Sequence, residues 1–135
     1  MTRKPAKPTN GRNHRARRTS RSRYKGVVIR TDLRLAIYLR DRFTCLYCLR
    51  DLHGAAPSDL TLDHLVADSD GGSNDPANLV TACRHCNCQR QDTPLRRFCG
   101  PETRAHVRRN TGRSIARYRR LAKAILAGEA DDPRK

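Results

Sequence analysis

The 135-residue sequence predicts a small α+β domain, flanked by helices and preceded by a disordered basic arm. Three observations predict this class. Two Cys-x-x-Cys pairs bracket the middle of the chain, two short apolar segments read as strands between them, and positive charge is concentrated towards both ends. Aromatic residues make up only 4% and Trp is absent, so the core is small and such a domain needs an additional cross-link.

The charge is strongly segregated along the chain. Residues 1–30 contain 11 Lys/Arg and no acidic residue, residues 31–92 contain 6 basic against 9 acidic residues, and residues 96–123 contain 10 basic residues against Glu102 alone. A neutral-to-acidic centre between basic arms suits a polyanionic partner. A ribosome-like or simply soluble basic protein would have the same composition, so charge alone does not decide.

We divide the chain into four parts by composition. Residues 1–25 contain almost nothing to bury and are predicted to be a disordered basic arm. The predicted folded domain covers 26–99, a basic helical segment covers 100–127, and 128–135 is expected to be a flexible tail. The C-terminal helix has one apolar face, made of Ile115, Tyr118, Leu121, Ala122, Ile125 and Leu126.

Local patterns predict the elements of the folded domain. They are a short strand at 26–30, a helix capped by Thr31 and Asp32, a strand at 60–66, a loop rich in Gly, Asn, Asp and Pro at 67–77, a strand at 79–83 and a short helix at 84–92. The predicted strands are rich in apolar and β-branched residues, and the predicted loop contains the residues that favour turns.

The two cysteine pairs predict a structural zinc site. Cys45 and Cys48 form the first pair and Cys83 and Cys86 the second, which gives four thiolates for a tetrahedral ion. Their separation of 34 residues implies that something folded lies between them. Two disulfides or a thioredoxin-like redox pair are the alternatives, and neither suits a chain without a secretory signal or a βαβ pattern.

The remaining composition bears on location and assembly. We expect the protein in the cytoplasm of a bacterium or a phage-infected cell, because the basic N-terminus lacks the apolar stretch of a secretory signal. No run of about 18 apolar residues predicts a membrane span. No long heptad pattern predicts a dimer, so a monomer is expected.

The segment LTLDHLVADSDGGSNDPANLVTACRHCNCQRQDTP carries polar residues at chemically suggestive positions. Asp63 and His64 end the first predicted strand, Asn78 lies in the following loop, and Asn87 lies on the helix after the second strand. This order, with Gly-Gly, Asn-Leu and Cys-x-x-Cys-Asn, resembles the HNH nuclease family and its ββα-metal fold. The resemblance covers about residues 42–94.

The resemblance implies a role for each of these residues. His64 would be the general base, Asp63 a ligand of a divalent cation such as magnesium, Asn78 the residue that orients the His64 loop, and Asn87 the second cation ligand. The chemistry is consistent, since an imidazole can accept a proton from water near neutral pH and magnesium prefers oxygen ligands. The implied reaction is hydrolysis of DNA phosphodiester bonds that leaves a 3′-hydroxyl and a 5′-phosphate.

Basic residues complete the expected site. Many relatives have histidine where this chain has Asn87, so a lightly ligated site that binds one cation weakly is expected. The residues expected to contact DNA phosphates are Arg90, Arg113, Arg117 and Arg120.

Other functions remain open from the sequence. A non-catalytic, zinc-cross-linked DNA-binding module would share the composition and the cysteine pairs, but would not need all of Asp63, His64, Asn78 and Asn87. RNA as the substrate also remains open. By analogy with small family members of phages and mobile elements, a phage terminase or another DNA-processing protein is the expected partner.

Overall fold

A computed structural model of the chain describes residues 28–67 and 71–135. The predicted basic arm at 1–25 and residues 68–70 of the predicted loop lie outside this part. The helices and strands, in chain order, are α1 (Thr31–Arg40), β1 (Leu60–His64), β2 (Leu79–Cys83), α2 (Arg84–Arg90), α3 (Leu95–Phe98), α4 (Pro101–Thr111) and α5 (Ala116–Leu126). Two short 3-10 turns, Pro57–Asp59 and Pro76–Asn78, lead into the strands. The predicted small α+β class is confirmed.

The two strands form an antiparallel hairpin at the centre of the domain. Leu60 pairs with Cys83 at one end and His64 with Leu79 at the other, so the segment between the strands returns to the His64 end. β1 stops two residues earlier than predicted, where the chain turns away from the sheet. The second strand and the helix that follows directly from it agree closely with the sequence pattern.

Helix α1 begins earlier than its predicted caps suggest. Arg30 occupies the N-cap position without a side-chain cap, so Thr31 and Asp32 lie inside the first turn. Asp32 is nonetheless well placed, because a carboxylate in the first turn interacts favourably with the helix dipole. It also accepts a hydrogen bond from Arg119 Nε at 3.1 Å, which ties α1 to α5 and lowers the pKa of Asp32. Residues 28–30, the described part of the predicted strand at 26–30, pair with no other strand.

Helices cover both faces of the hairpin. On one face, α1 and α5 pack together around a cluster that also includes the strand residues Leu60 and Leu62. On the other face, Val80 of β2 packs against Leu46 and against Val107 of α4. The C-terminal segment is therefore two helices, and α5 buries only part of its predicted face, since Leu121 and Leu126 are exposed.

The last residues return to the domain, in contrast to the flexible tail expected from Gly128 onward. The Arg134 guanidinium lies over the Phe43 ring at 5.1 Å and pairs with Asp132 at 2.6 Å. Phe43 is itself 1% exposed, so the arginine covers an edge of the core. Among the described helices, none is long and apolar enough to cross a membrane.

A buried ion pair joins α1 to the start of β2. Arg40 Nε donates to Asp41 Oδ1 at 2.8 Å, and both side chains are inaccessible to solvent. The guanidinium also donates to the carbonyls of Pro76 and Leu79, and Asp41 Oδ2 accepts from the Thr81 amide. Buried charges are tolerated when they are paired and fully hydrogen-bonded, as here.

Removal of one partner should therefore be costly. We expect Arg40→Met to lower the free energy of unfolding by about 3–5 kcal/mol, because Asp41 is then left buried without its cation. Urea denaturation followed by circular dichroism, with zinc present throughout, measures this. The control Arg42→Met alters an exposed arginine two residues away and should change stability by less than about 0.5 kcal/mol. A loss at Arg40 no larger than that of the control would refute the argument.

Candidate functional site

The four paired cysteines converge on one point between the hairpin and the turn that precedes it. Cys45 and Cys48 lie in a tight turn after α1, Cys83 ends β2, and Cys86 lies in the first turn of α2. All four Sγ atoms lie within 4.8 Å of one another, with Cys48 and Cys83 at 3.9 Å. In each pair the backbone N–H of the second cysteine donates to the sulfur of the first.

This cluster can hold a zinc ion. A tetrahedral zinc with bonds of about 2.3 Å sets its sulfurs about 3.8 Å apart, close to the 3.9 Å between the Cys48 and Cys83 sulfurs. Burial raises the pKa of the Cys45 and Cys86 thiols, so a cation is required to keep four thiolates together. Four sulfur ligands leave no open position, which makes the site structural rather than catalytic. Cys88 is exposed and Cys99 partly buried, and both lie outside the cluster.

Asp63 is held by two donors on one of its oxygens. Arg90 Nη1 donates to Asp63 Oδ2 at 2.6 Å, and the Tyr47 hydroxyl donates to the same oxygen at 2.5 Å. Burial and the charge of Asp63 raise the pKa of Tyr47, so this hydroxyl keeps its proton and remains a donor. Tyr47 lies between Cys45 and Cys48, so its hydrogen bond connects the turn that carries these cysteines directly to the Asp63 carboxylate.

Arg90 lies in the interior of the domain, whereas its sequence position suggested a surface residue that contacts DNA phosphate. Its side chain is almost completely buried, and its other donors bind the carbonyls of His64, Leu65 and Thr93. The guanidinium therefore faces the interior, and the expected contact with DNA phosphate is replaced by a structural role. The cause is Asp63, whose buried carboxylate requires a cation close by.

Helix α2 also positions Asn87 against β1. The Asn87 amide nitrogen donates to Thr61 Oγ1 at 3.0 Å and to the Leu62 carbonyl at 3.2 Å. Within the described residues, no hydrogen bond reaches Asn87 Oδ1 or Asp63 Oδ1. The Asp63 and Asn87 side chains both lie where α2 packs against β1, and the Oδ1 atom of each is available to coordinate a cation.

His64 has a separate set of contacts. Adjacent residues of a strand point to opposite faces, and while Asp63 contacts α2, the His64 ring contacts the loop after the strand. Its Nε2 lies 2.7 Å from Asn74 Oδ1. Because His64 is the last residue of β1, its imidazole and the Asp63 carboxylate still lie at the same end of the hairpin.

The loop that carries Asn74 is fastened by Asn78. The Asn78 side chain accepts from the Val66 amide at 2.8 Å and donates to the carbonyls of Val66 and Ser73. Gly72 approaches the same stretch of backbone so closely that a Cβ on it would lie 1.7 Å from the Val66 carbonyl oxygen. The loop thus depends on an amide side chain at one position and on the absence of a side chain at another.

Three contact residues were not singled out from the sequence. Tyr47 lies within the first Cys-x-x-Cys pair, where the cysteines draw the attention. Thr61 is an ordinary strand residue, and Asn74 is one of several turn-forming residues in a Gly/Ser/Asn/Asp run. The only signal for Asn74 is its place in the loop that follows His64. Its contact with the histidine is set by how the loop folds, which residue type does not reveal.

The basic C-terminal segment contributes a charged surface, with Arg113 in the turn between α4 and α5 and with Arg117 and Arg120 on α5. Arg113, Arg117 and Arg120 are exposed, and Arg117 also packs over the Tyr118 ring. Arg113 lines a cleft of about 360 Å³ between α4 and the turn after α1, which Arg42, His106 and Arg109 also line. In the described part of the chain, none of these arginines forms an ion pair.

Zinc content gives a direct test of the cysteine cluster. We expect one zinc ion per chain, lost in Cys83→Ser and retained in Cys88→Ser, because only the first removes a clustered sulfur. Elemental analysis of purified protein measures this, and thermal denaturation should show that chelation lowers stability as well. Equal zinc content in both variants would contradict the assignment.

Gly72 gives a test of the loop. We expect Gly72→Ala to lower the free energy of unfolding by about 1–3 kcal/mol, since the new methyl group collides with backbone that the loop cannot easily move. Gly54→Ala is the matched control, because no atom lies within 4 Å of its added Cβ. Chemical denaturation of both variants compares them, and equal stabilities would show that the loop is freely deformable.

Comparison with known proteins adds an independent finding. Residues 45–93 match the family model described as HNH endonuclease. A search of the curated proteins and a search of the solved structures each returned no match. The matched segment begins at Cys45 and ends at Thr93, so it contains the cysteine cluster, both strands and α2. This match supports a nuclease or DNA-binding function for residues 45–93, the part of the chain that is similar to the HNH endonuclease family.

Proposed function

We propose that the protein is a metal-dependent DNA endonuclease in which His64 is the general base. The observation that carries the proposal is that Asp63 Oδ1 and Asn87 Oδ1 receive no hydrogen bond from a described residue, while Asp63 lies next to His64 in β1 and Asn87 contacts the same strand. Asp63 Oδ2 and the Asn87 amide nitrogen already make structural contacts, and the two Oδ1 atoms remain for a cation.

The donor set suits a hard cation such as magnesium. One carboxylate and one amide oxygen would hold it, and several positions would remain for phosphate and water. When bound, the cation would supply positive charge to the scissile phosphate and to the leaving oxygen. Because Arg90 already balances the charge of Asp63, the site attracts a cation weakly, and we expect activity with more than one divalent metal.

His64 would act on the water that attacks the phosphorus. Its ring is partly exposed at the end of the hairpin, so water and a DNA strand can reach it. The imidazole would accept a proton from that water as the new phosphorus–oxygen bond forms. Asn78 would contribute indirectly, because its three hydrogen bonds hold the loop on which the position of the ring depends.

The exposed arginines would bind the DNA backbone. Arg113, Arg117 and Arg120 form no ion pair with described residues, so their charge is available to phosphates. Such interactions give salt-dependent affinity that is largely independent of sequence. We propose that the enzyme acts as a cytoplasmic monomer and serves a phage terminase or another DNA-processing protein.

One observation favours a second candidate, a non-catalytic DNA-binding module. The close Arg90–Asp63 pair satisfies the carboxylate without any cation. In such a module the zinc cluster and the arginines would act alone, and the Asp63 site would serve only stability. RNA would bind to the same surface through its phosphates in the same way.

Plasmid cleavage separates the two candidates. We expect the wild type to nick or cut DNA in a reducing buffer with magnesium or manganese and to be inactive with EDTA. His64→Ala should lose at least about a hundredfold in rate, the contribution of a general base. His53→Ala is the control, since His53 pairs with Asp51 away from the hairpin. Binding without cleavage under every metal would favour the module instead.

DNA affinity tests the basic surface separately. The triple variant Arg113→Ala, Arg117→Ala, Arg120→Ala should bind more weakly, and the slope of log affinity against log salt should fall by about one for each phosphate that the variant no longer binds. Fluorescence anisotropy measures this with two probes, a labelled DNA duplex and a labelled single-stranded RNA. Arg50→Ala is the control, because Arg50 is already paired with Asp59. An unchanged slope in the triple variant would place the DNA elsewhere.

A further inference from the structure

We infer that Asn74 is a positioning residue that fixes the tautomer of His64 and leaves Nδ1 as the nitrogen that accepts the proton. This inference rests on the proposed function, because it assigns the atom that acts as base. It starts from one contact, the 2.7 Å separation of His64 Nε2 and Asn74 Oδ1.

The chemistry of that contact decides the tautomer. An amide oxygen has lone pairs and no hydrogen, so it can only accept a hydrogen bond. His64 Nε2 must therefore carry the proton in this contact. A neutral imidazole has one donor and one acceptor nitrogen, and Nδ1 is consequently unprotonated and basic. No other side chain in the described part of the chain hydrogen-bonds the ring.

The loop holds Asn74 in place from both sides. The Ser73 carbonyl accepts from the Asn78 side chain at 2.7 Å, and the Asp75 carbonyl accepts from the Asn78 backbone amide at 2.8 Å. Asn74 lies between two anchored neighbours, so its amide is preorganised and the imidazole orientation costs little to maintain.

The neutral amide also matters electrostatically. A carboxylate at this position would repel the phosphate that the site is proposed to bind. An amide orients the ring without adding negative charge. Asn74 thus fixes which nitrogen of His64 is the acceptor and adds no negative charge beside the proposed phosphate position.

Nitrogen NMR reads the tautomer without depending on cleavage. The zinc-loaded full chain, labelled at histidine nitrogens, is compared well above neutral pH with Asn74→Ala, and His64→Gln identifies the His64 signals. We expect the wild type to show the Nε2–H tautomer alone and Asn74→Ala to show a mixture. Ser73→Ala is the matched control in the same loop, because it removes only a hydroxyl that accepts from the Asp75 amide and keeps both the Ser73 carbonyl bound by Asn78 and the His64 contact.

Cleavage rates test the consequence for catalysis. Asn74→Ala should cleave about ten to a hundred times more slowly than wild type, a range typical of residues that orient a functional ligand. Asn74→Asp keeps an acceptor oxygen at the same position, so it should retain the single Nε2–H tautomer that Asn74→Ala loses. Ser73→Ala should match the wild type in both measurements.

The outcomes separate this inference from the proposed function. A single, unchanged tautomer in Asn74→Ala would overturn the inference even if the wild type cleaves DNA. An equal effect of Ser73→Ala would overturn it too, since only loop integrity would then be involved. If the wild type does not cleave at all, the proposed function fails, and a tautomer that changes in Asn74→Ala still supports Asn74 as the residue that fixes it.

Discussion

The contact between the Arg90 guanidinium and the Asp63 carboxylate holds together the part of the molecule where chemistry is proposed. Both groups are buried, and either would be strongly destabilising alone. The same guanidinium binds the backbone carbonyls of His64 and Leu65. The Arg90 side chain of α2 thereby fixes the positions of the Asp63 carboxylate, the end of β1 and the first residue of the following loop. The positions of His64 and Asn87 follow from that arrangement.

The cysteine cluster supports this arrangement from the other end of the hairpin. It joins the end of β2 and the start of α2 to the turn that contains Tyr47, and Tyr47 donates to Asp63. Loss of zinc would therefore weaken the fold and would also release the Tyr47 hydroxyl that donates to Asp63, the candidate cation ligand. A small core with few aromatic residues makes such a cross-link necessary. Stability and site geometry are thus connected through one tyrosine.

Sequence patterns were sufficient for what depends on local spacing. The cysteine pairs, the second strand and α2 follow from residues close together in the chain, and the structure contains all of them. The burial of Arg90 was not predictable in this way, because its partner Asp63 lies 27 residues earlier. The exposure of Leu121 and Leu126 likewise depends on how the helices pack, which the apolar pattern of α5 does not reveal. Asn74 has no periodic or spacing signal at all.

A crystal structure would test the central claim most directly. The zinc-loaded His64→Ala variant would be crystallised with a DNA duplex and manganese, whose anomalous scattering locates the ion. The account predicts one manganese bound to Asp63 Oδ1, Asn87 Oδ1 and a DNA phosphate, with Arg90 still paired to Asp63 Oδ2. DNA bound with no ion at Asp63, or with its nearest phosphate far from the hairpin end, would contradict it and favour the binding module.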